Sequence, residues 1–299
     1  MYDSSPSRTA QATAYLRALH LYIDDAPPVF TDQLAIRLLP ALQRQQIRSM
    51  GRLARLWPRR MRPPDSALTA IRAQVLVRAR FAEDTLAVAR SGGISRYLIL
   101  GAGLDTFALR QPQPGIEVVE IDHPATQNWK RWLLGRSGLS IPALLSFLPV
   151  DFEKTALPSV WVDKGSIDFV SWLGTTYYLS RDSIRSTLTA LSQLTRPGAQ
   201  LVFDYWNENP TGSGGSALLW GTRLAVALQG EPLRSLFSPD EIERFAAECG
   251  WHVLQNCSPA AQNQRYLSNR RDGLAVPGFA HLLHLQRAET PEQRPANSV

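Results

Sequence analysis

From Arg96 onward, short apolar runs alternate with segments of helical period, and few folds accommodate that alternation. Strands are predicted over 97–100, 117–121, 147–150, 167–172, 199–205, 252–257 and 279–285. Helices fit at 124–136, 181–195 and 238–249. The last begins Ser238-Pro239-Asp240-Glu241, with a serine able to cap, proline at the first helical position and an acid two further on. Strands separated by helices pair in parallel through right-handed crossovers, so the expected class is α/β, a Rossmann-like sheet of seven mostly parallel strands.

Residues 1–90 read differently, as helices over 9–22, 31–57 and from Ser66 to about Arg90. Pro27-Pro28 and Pro63-Pro64 separate them, Thr31 or Asp32 can cap the second, and Gly92-Gly93 ends the third. The expected organisation is a helical cap over 1–90, the Rossmann-like domain over 91–288 and a polar, disordered tail over 289–299. Residues 209–216 read as a loop rich in Pro, Gly and Ser.

The strongest chemical signal is Leu98-Ile-Leu-Gly101-Ala102-Gly103-Leu-Asp105-Thr106. Glycines between a strand and a helix let the backbone turn sharply and approach a ligand at the carboxyl end of the first strand. The second strand ends Val119-Glu-Ile-Asp122, about 20 residues on, where an acid can hold ribose hydroxyls; the bland alternative is a helix cap. A dinucleotide turn calls for a third glycine so that pyrophosphate rests on the helix N-terminus. Thr106 stands there instead, with the carboxylate of Asp105 beside it, which repels phosphate and suits a cationic ligand. This charge logic favours S-adenosylmethionine over NAD. Asp151 can accept from an adenine amine while Phe152 walls the ring; a strand-end turn is the alternative. Trp172 ends the fourth strand and Tyr177 and Tyr178 follow it; all three can face a sulfonium by cation–π attraction, or serve as core aromatics.

Composition narrows the remaining classes. With 44% hydrophobic and 19% charged residues in 299, the chain can bury a sizeable core. No apolar run reaches the ~18 residues that cross a bilayer, and Met1–Arg8 lacks the layout of a signal peptide, so a cytoplasmic protein without a membrane partner is expected. Cys249 and Cys257 read as buried small hydrophobes rather than a bridge, and no cluster has zinc-ligand spacing, so no metal is expected. The net charge is +6, dominated by arginine. Arg44, Arg48, Arg52, Arg55 and Arg59 form one helical stripe, read as a solvated face, with an anionic-substrate gate or a surface contact as sharper readings. Without a zinc finger, an RNA-recognition signature or an aromatic-interleaved basic patch, no nucleic-acid partner is expected.

Taken together these motifs resemble the leucine carboxyl methyltransferase superfamily, and within it the bacterial O-methyltransferase branch. Gly101-Ala-Gly-Leu-Asp-Thr106 with Arg110 resembles the first motif, and Arg78-Ala-Arg80-Phe81 with Glu83-Asp84 resembles the Arg-x-x-x-Asp helix. Val119-Glu-Ile-Asp-His123-Pro124, Trp172-Leu-Gly-Thr-Thr-Tyr-Tyr-Leu179 and Phe30-Thr-Asp32 resemble the motifs after the second and fourth strands and the N-terminal entry. The resemblance spans about residues 10–285. It implies a class I methyltransferase fold with a helical cap over the site, S-adenosyl-L-methionine as cofactor and a small-molecule methyl acceptor, with carboxylates and phenols among the candidates. It places Arg80 on the cofactor's carboxylate, Asp122 on its ribose and Asp151 near its adenine, with His123 beside them. Leu173 stands where the eukaryotic leucine-carboxyl enzymes carry an acid, which speaks against a protein C-terminal leucine as acceptor. His20, His123, Tyr178 and His281 are candidate bases, none with a partner identifiable in sequence, so no catalytic residue is assigned. A dinucleotide-dependent oxidoreductase and a non-catalytic binding protein on the same fold are the other readings, and the sequence leaves the oligomeric state undefined.

Overall fold

The computed structural model describes residues 7–56, 67–111, 115–152, 154, 157, 166–212, 214–228, 230 and 232–288. Its centre is a seven-stranded sheet made of β1 (Arg96–Leu100), β2 (Glu117–Asp122), β3 (Leu145–Pro149), β4 (Ile167–Trp172), β5 (Thr195–Trp206), β6 (Trp251–Cys257) and β7 (Ala280–Arg287). The order is β3-β2-β1-β4-β5-β7-β6. The first five pair in parallel, and β7 runs antiparallel to both β5 and β6. Strand order reverses between β1 and β4, the place where doubly wound sheets open a crevice at their carboxyl ends.

The helices are α1 (Arg8–Ile23), α2 (Ala41–Leu56), α3 (Ala67–Arg90), α4 (Phe107–Arg110), α5 (Pro124–Arg136), α6 (Arg181–Leu194), α7 (Gly215–Leu228), α8 (Pro239–Glu248) and α9 (Pro259–Leu267). Alternation along the strands divides the core. Tyr97, Ile99, Phe169 and Val202 meet Leu76, Val77 and Phe81 of α3 on one face. Leu98, Leu100, Val170 and Phe203 meet Leu188 of α6 and Ile242 of α8 on the other. A third cluster joins Ala14 and Leu19 of α1 to Ile47 of α2, Leu133 and Leu134 of α5, and Leu104 in the glycine turn.

Every predicted strand is present, with β5 and β3 beginning earlier than expected. The continuous helix expected over 31–57 is instead a 3-10 turn, Ala35–Leu38, followed by α2. Pro40 intervenes, a residue that lacks a backbone donor and disfavours helix at the position before it. Asp32 precedes the 3-10 turn, whose cap position is Leu34, and caps neither it nor α2; its Oδ1 accepts from Leu34 N at 3.2 Å and Ala35 N at 3.0 Å. Two helices escaped the sequence reading. One is α7, which includes the end of the expected 209–216 loop. The other is α9, whose Ser258 cap and Pro259 repeat the start seen at Ser238-Pro239. The expected tail over 289–299 lies outside the described residues. Both cysteines are free and buried, as expected. Among the described residues no helix is long and apolar enough to cross a membrane.

Candidate functional site

A cavity of about 610 Å³ opens at the carboxyl ends of β1 to β4, roofed by α1 and flanked by α3. Its floor is the glycine turn. Gly101 has φ +61°, and a Cβ there would collide with Thr175 Oγ1, so only glycine admits this contact between the β1 and β4 loops. Asp105 Oδ1 accepts from Phe107 N at 2.6 Å, which starts α4.

Asp122 ends β2 beneath the turn. Its Oδ2 accepts from Gly103 N at 2.5 Å and its Oδ1 from His123 N at 2.6 Å. It does not cap α5; His123 does, its Nδ1 accepting from Ala125 N at 3.3 Å. Burial pushes the Asp122 carboxyl above the usual carboxylate range, against the pull of those two backbone donors. Asp151 follows β3 and lies 3.5 Å from Lys154 Nζ and 3.9 Å from His123 Nε2. Gly101, Ala102, Gly103, Asp105, Asp122, His123, Asp151, Phe152 and Tyr178 all line the cavity, so the structure gathers most of the residues singled out in sequence.

Three placements need correction. Arg80 does not reach the cavity. Its side chain is 47% exposed and pairs with Asp84 at 2.7 Å, one turn along α3. The arginine of α3 that lines the cavity is Arg78. Two residues are about 200° of helical rotation, which puts Arg80 on the opposite side of α3. Arg78 Nη1 donates to Tyr177 Oη at 2.9 Å and to Asp204 Oδ2 at 3.0 Å. Burial works against its charge, but Tyr177 and Asp204 outweigh it and hold its pKa above the ordinary value.

Trp172 is fully buried in the core between Phe152 and Phe203. Its strand neighbours Ser171 and Leu173 line the cavity, and period-two alternation turns Trp172 the other way. Tyr177 is also buried, stacked on Trp206 at 4.4 Å; it supports Arg78 from behind while Tyr178 faces the cavity. Among the candidate bases, His20 is locked between Asp24 at 2.8 Å and Val29 N at 2.9 Å. His281 lies on β7 opposite Tyr205 of β5 and is buried, which pushes its pKa down to about 4.

Two residues missed in sequence organise the site. Asp204, near the end of β5, accepts from Arg78 and also from Gly174 N at 2.6 Å. Arg17 of α1 lines the cavity, donating to Leu104 O at 2.6 Å and to Asp32 Oδ2 at 2.9 Å. Behind them, Arg110 donates to Thr106 Oγ1 at 2.8 Å and to Glu83 Oε1 at 2.5 Å, and lies over the Phe30 ring at 5.0 Å. The helical cap is thereby tied to the glycine turn by buried or partly buried charge pairs. A polar residue inside the apolar run Leu201-Val-Phe-Asp204-Tyr-Trp206 was the available signal for Asp204; nothing in the sequence sets Arg17 apart from the other arginines.

A mostly parallel sheet with this order, its β7 antiparallel, together with a glycine turn after β1 and acids at or after the ends of β1, β2 and β3, defines the class I methyltransferase architecture. Residues 10–192 match the family model described as leucine carboxyl methyltransferase. YktD of Bacillus subtilis (strain 168), assigned by name as an S-adenosyl-L-methionine-dependent methyltransferase, is 32% identical over 95% of this chain and 99% of its own length. Franean1_4929 of Parafrankia sp. (strain EAN1pec), with the same assignment, is 28% identical over 66% of this chain and 62% of its own. Among solved structures, the magnesium protoporphyrin IX methyltransferase of Synechocystis PCC 6803 with bound SAH superposes with a TM-score of 0.48 at 12% identity, covering 73% of this chain and 87% of that one. The chain belongs to the leucine carboxyl methyltransferase family.

Proposed function

We propose that this protein transfers the methyl group of S-adenosyl-L-methionine to an oxygen of a small molecule that bears a carboxylate or a phenol. Methyl transfer and the cofactor follow from the family; the oxygen acceptor is the proposal. The observation that carries it is a cavity lined by a buried arginine, Arg78, and by three carboxylates, Asp105, Asp122 and Asp151. That donor set fits an adenosyl amino acid and opposes a phosphate. Guanidinium matches a carboxylate, Asp122 matches a ribose diol, and Asp151 with Phe152 matches an adenine edge and face. The glycine turn leaves room for close backbone approach at Gly101, Ala102 and Gly103.

When bound, the cofactor supplies an electrophilic methyl group on a sulfonium. The chain's own part is to orient and to exclude water. Fixing two reactants in attacking geometry contributes about 7–11 kcal/mol, with no covalent intermediate needed. A carboxylate acceptor is ionised at neutral pH and needs no base, whereas a phenol, with pKa near 10, gains from one. Only His123 and Tyr178 of the four candidates line the cavity. Arg17, Lys154 and Arg234 also line it, favouring an acidic acceptor, and about 610 Å³ is the scale of a small-molecule site. Leu173 lines the wall where the eukaryotic leucine-carboxyl enzymes carry an acid, which speaks against a protein C-terminal leucine as acceptor.

The test is transfer of labelled methyl from S-adenosylmethionine across a panel of carboxylate-, phenol- and amine-bearing metabolites. Label in base-labile esters or in aryl ethers supports the reading. Label confined to amines overturns it, and no transfer at all favours the non-catalytic alternative.

A further inference from the structure

The arginine stripe is not absorbed by methyl transfer. Helix α2 lies on the outside of α1, and only Ile47 and Gly51 are buried, Gly51 against Tyr22. At 100° per residue the opposite pole of the helix carries Leu42, Leu53 and Leu56, interleaved with the uncharged Gln45, Gln46 and Ser49. These are 67%, 60% and 81% exposed, with Met50 beside them at 40%. Arg48, Arg52 and Arg55 run along one border of that pole, all exposed. Among the described residues no carboxylate pairs with them. Residues 41–62 contain seven arginines and no acid, and the sequence continues past the helix as Trp57-Pro-Arg-Arg-Met-Arg62, outside the described residues.

A helix that only faces water carries polar residues at its outer pole, and scattered exposed leucines need no explanation. Here three leucines and a methionine share one solvent-facing surface bordered by cations. We propose that α2 is a docking surface for an anionic lipid bilayer. Guanidinium groups attract lipid phosphates while the leucines enter the acyl boundary, the arrangement of an interfacial amphipathic helix. Nucleic acid matches the charge but has no use for the aliphatic side chains. This departs from the expectation of no membrane partner, which rested on the absence of a spanning segment; a surface helix needs none. Because α2 packs on α1, which roofs the cavity, docking would bring the site close to the bilayer.

Flotation of the full chain with phosphatidylglycerol-rich vesicles and with pure phosphatidylcholine vesicles tests this without any methyl-transfer readout. The wild type floats with the anionic vesicles and is released as ~1 M salt shortens the screening length to about 3 Å. Arg48→Gln with Arg52→Gln lowers partitioning about thirtyfold, at roughly 1 kcal/mol per cation removed. Leu53→Gln with Leu56→Gln abolishes it at unchanged charge. Both double variants alter exposed positions and keep the wild-type melting temperature. Failure of the wild type to float, equal flotation with phosphatidylcholine, or full binding by the leucine variant overturns the proposal. So does a leucine-dependent dimer in solution, or tighter binding to duplex DNA that ignores the leucines.

Discussion

Arg78 and Asp204 form a buried ion pair at 3.0 Å that joins α3 to β5 behind the cavity, their side chains 10% and 1% exposed. The second oxygen of Asp204 accepts from Gly174 N at 2.6 Å, so one carboxylate sets both the guanidinium and the loop after β4. Removing one member of a buried pair leaves the other charged and unpaired. Asp204→Ala is therefore expected to lower stability by about 3–5 kcal/mol, measured by denaturant unfolding. Asp204→Asn, which keeps an acceptor, is expected to fold and still weaken cofactor binding.

Gly174 makes room for that guanidinium. Its φ is +76°, and a Cβ would meet Arg78 Nη2 at 2.5 Å. Gly174→Ala combines left-handed strain of about 1–2 kcal/mol with displacement of Arg78. Thermal unfolding and calorimetry should both register a loss. Gly221→Ala, in open space within α7, should instead stabilise by about 0.5–1 kcal/mol and leave binding alone.

Arg17 ties the cap to the glycine turn through Leu104 O and Asp32. Arg17→Ala leaves the Asp32 carboxylate, 1% exposed, with Arg110 at 3.7 Å as its nearest cation beside the backbone donors of Leu34 and Ala35. A loss of about 3–5 kcal/mol and a weakened cofactor affinity are expected. Arg17→Lys should restore part of the stability but less of the affinity, since a point charge cannot make both bonds of the fork. Equal recovery of both quantities would contradict a positioning role.

His281 and His284 give the fold an acid-sensitive edge. His281 is 5% exposed with neither ring nitrogen hydrogen-bonded, and burial pushes both histidines down to about 4. Between pH 6.5 and 4 the unfolded chain takes up protons that the native chain refuses. The stabilisation is thus complete above about pH 6.5 and lost as pH falls toward 4, by roughly 3 kcal/mol for each histidine. Melting temperature should drop across that window, and His281→Phe should flatten about half of the dependence.

The strand–helix alternation made the sheet legible because burial on a sheet and on a helix leaves different periods in sequence. What escaped depended on register or on tertiary packing. α7 shows no apolar face toward the core; of its 14 residues only Gly215 and Leu219 are buried. Arg80 with Asp84 satisfied the Arg-x-x-x-Asp spacing as an exposed pair one turn apart, while Arg78 faced the cavity. Trp172 fell to the wrong side because one step along a strand reverses a side chain, as Ser171 and Leu173 show. The acids fared better: Asp105, Asp122 and Asp151 stand at strand ends, where the fold alone fixes what they face.

The central claim is that this cavity receives the adenosyl cofactor with Arg78, rather than Arg80, on its carboxylate. Parallel calorimetric titrations of S-adenosylhomocysteine into the wild type, Arg78→Lys and Arg80→Ala test it most directly, with melting temperatures confirming that each variant is folded. The account predicts wild-type affinity for Arg80→Ala, whose exposed pair contributes about 0–1 kcal/mol, and at least a tenfold loss for Arg78→Lys, because an ammonium cannot bridge carboxylate, Tyr177 and Asp204 as a fork does. The reverse order, or equal affinity for all three, would contradict it.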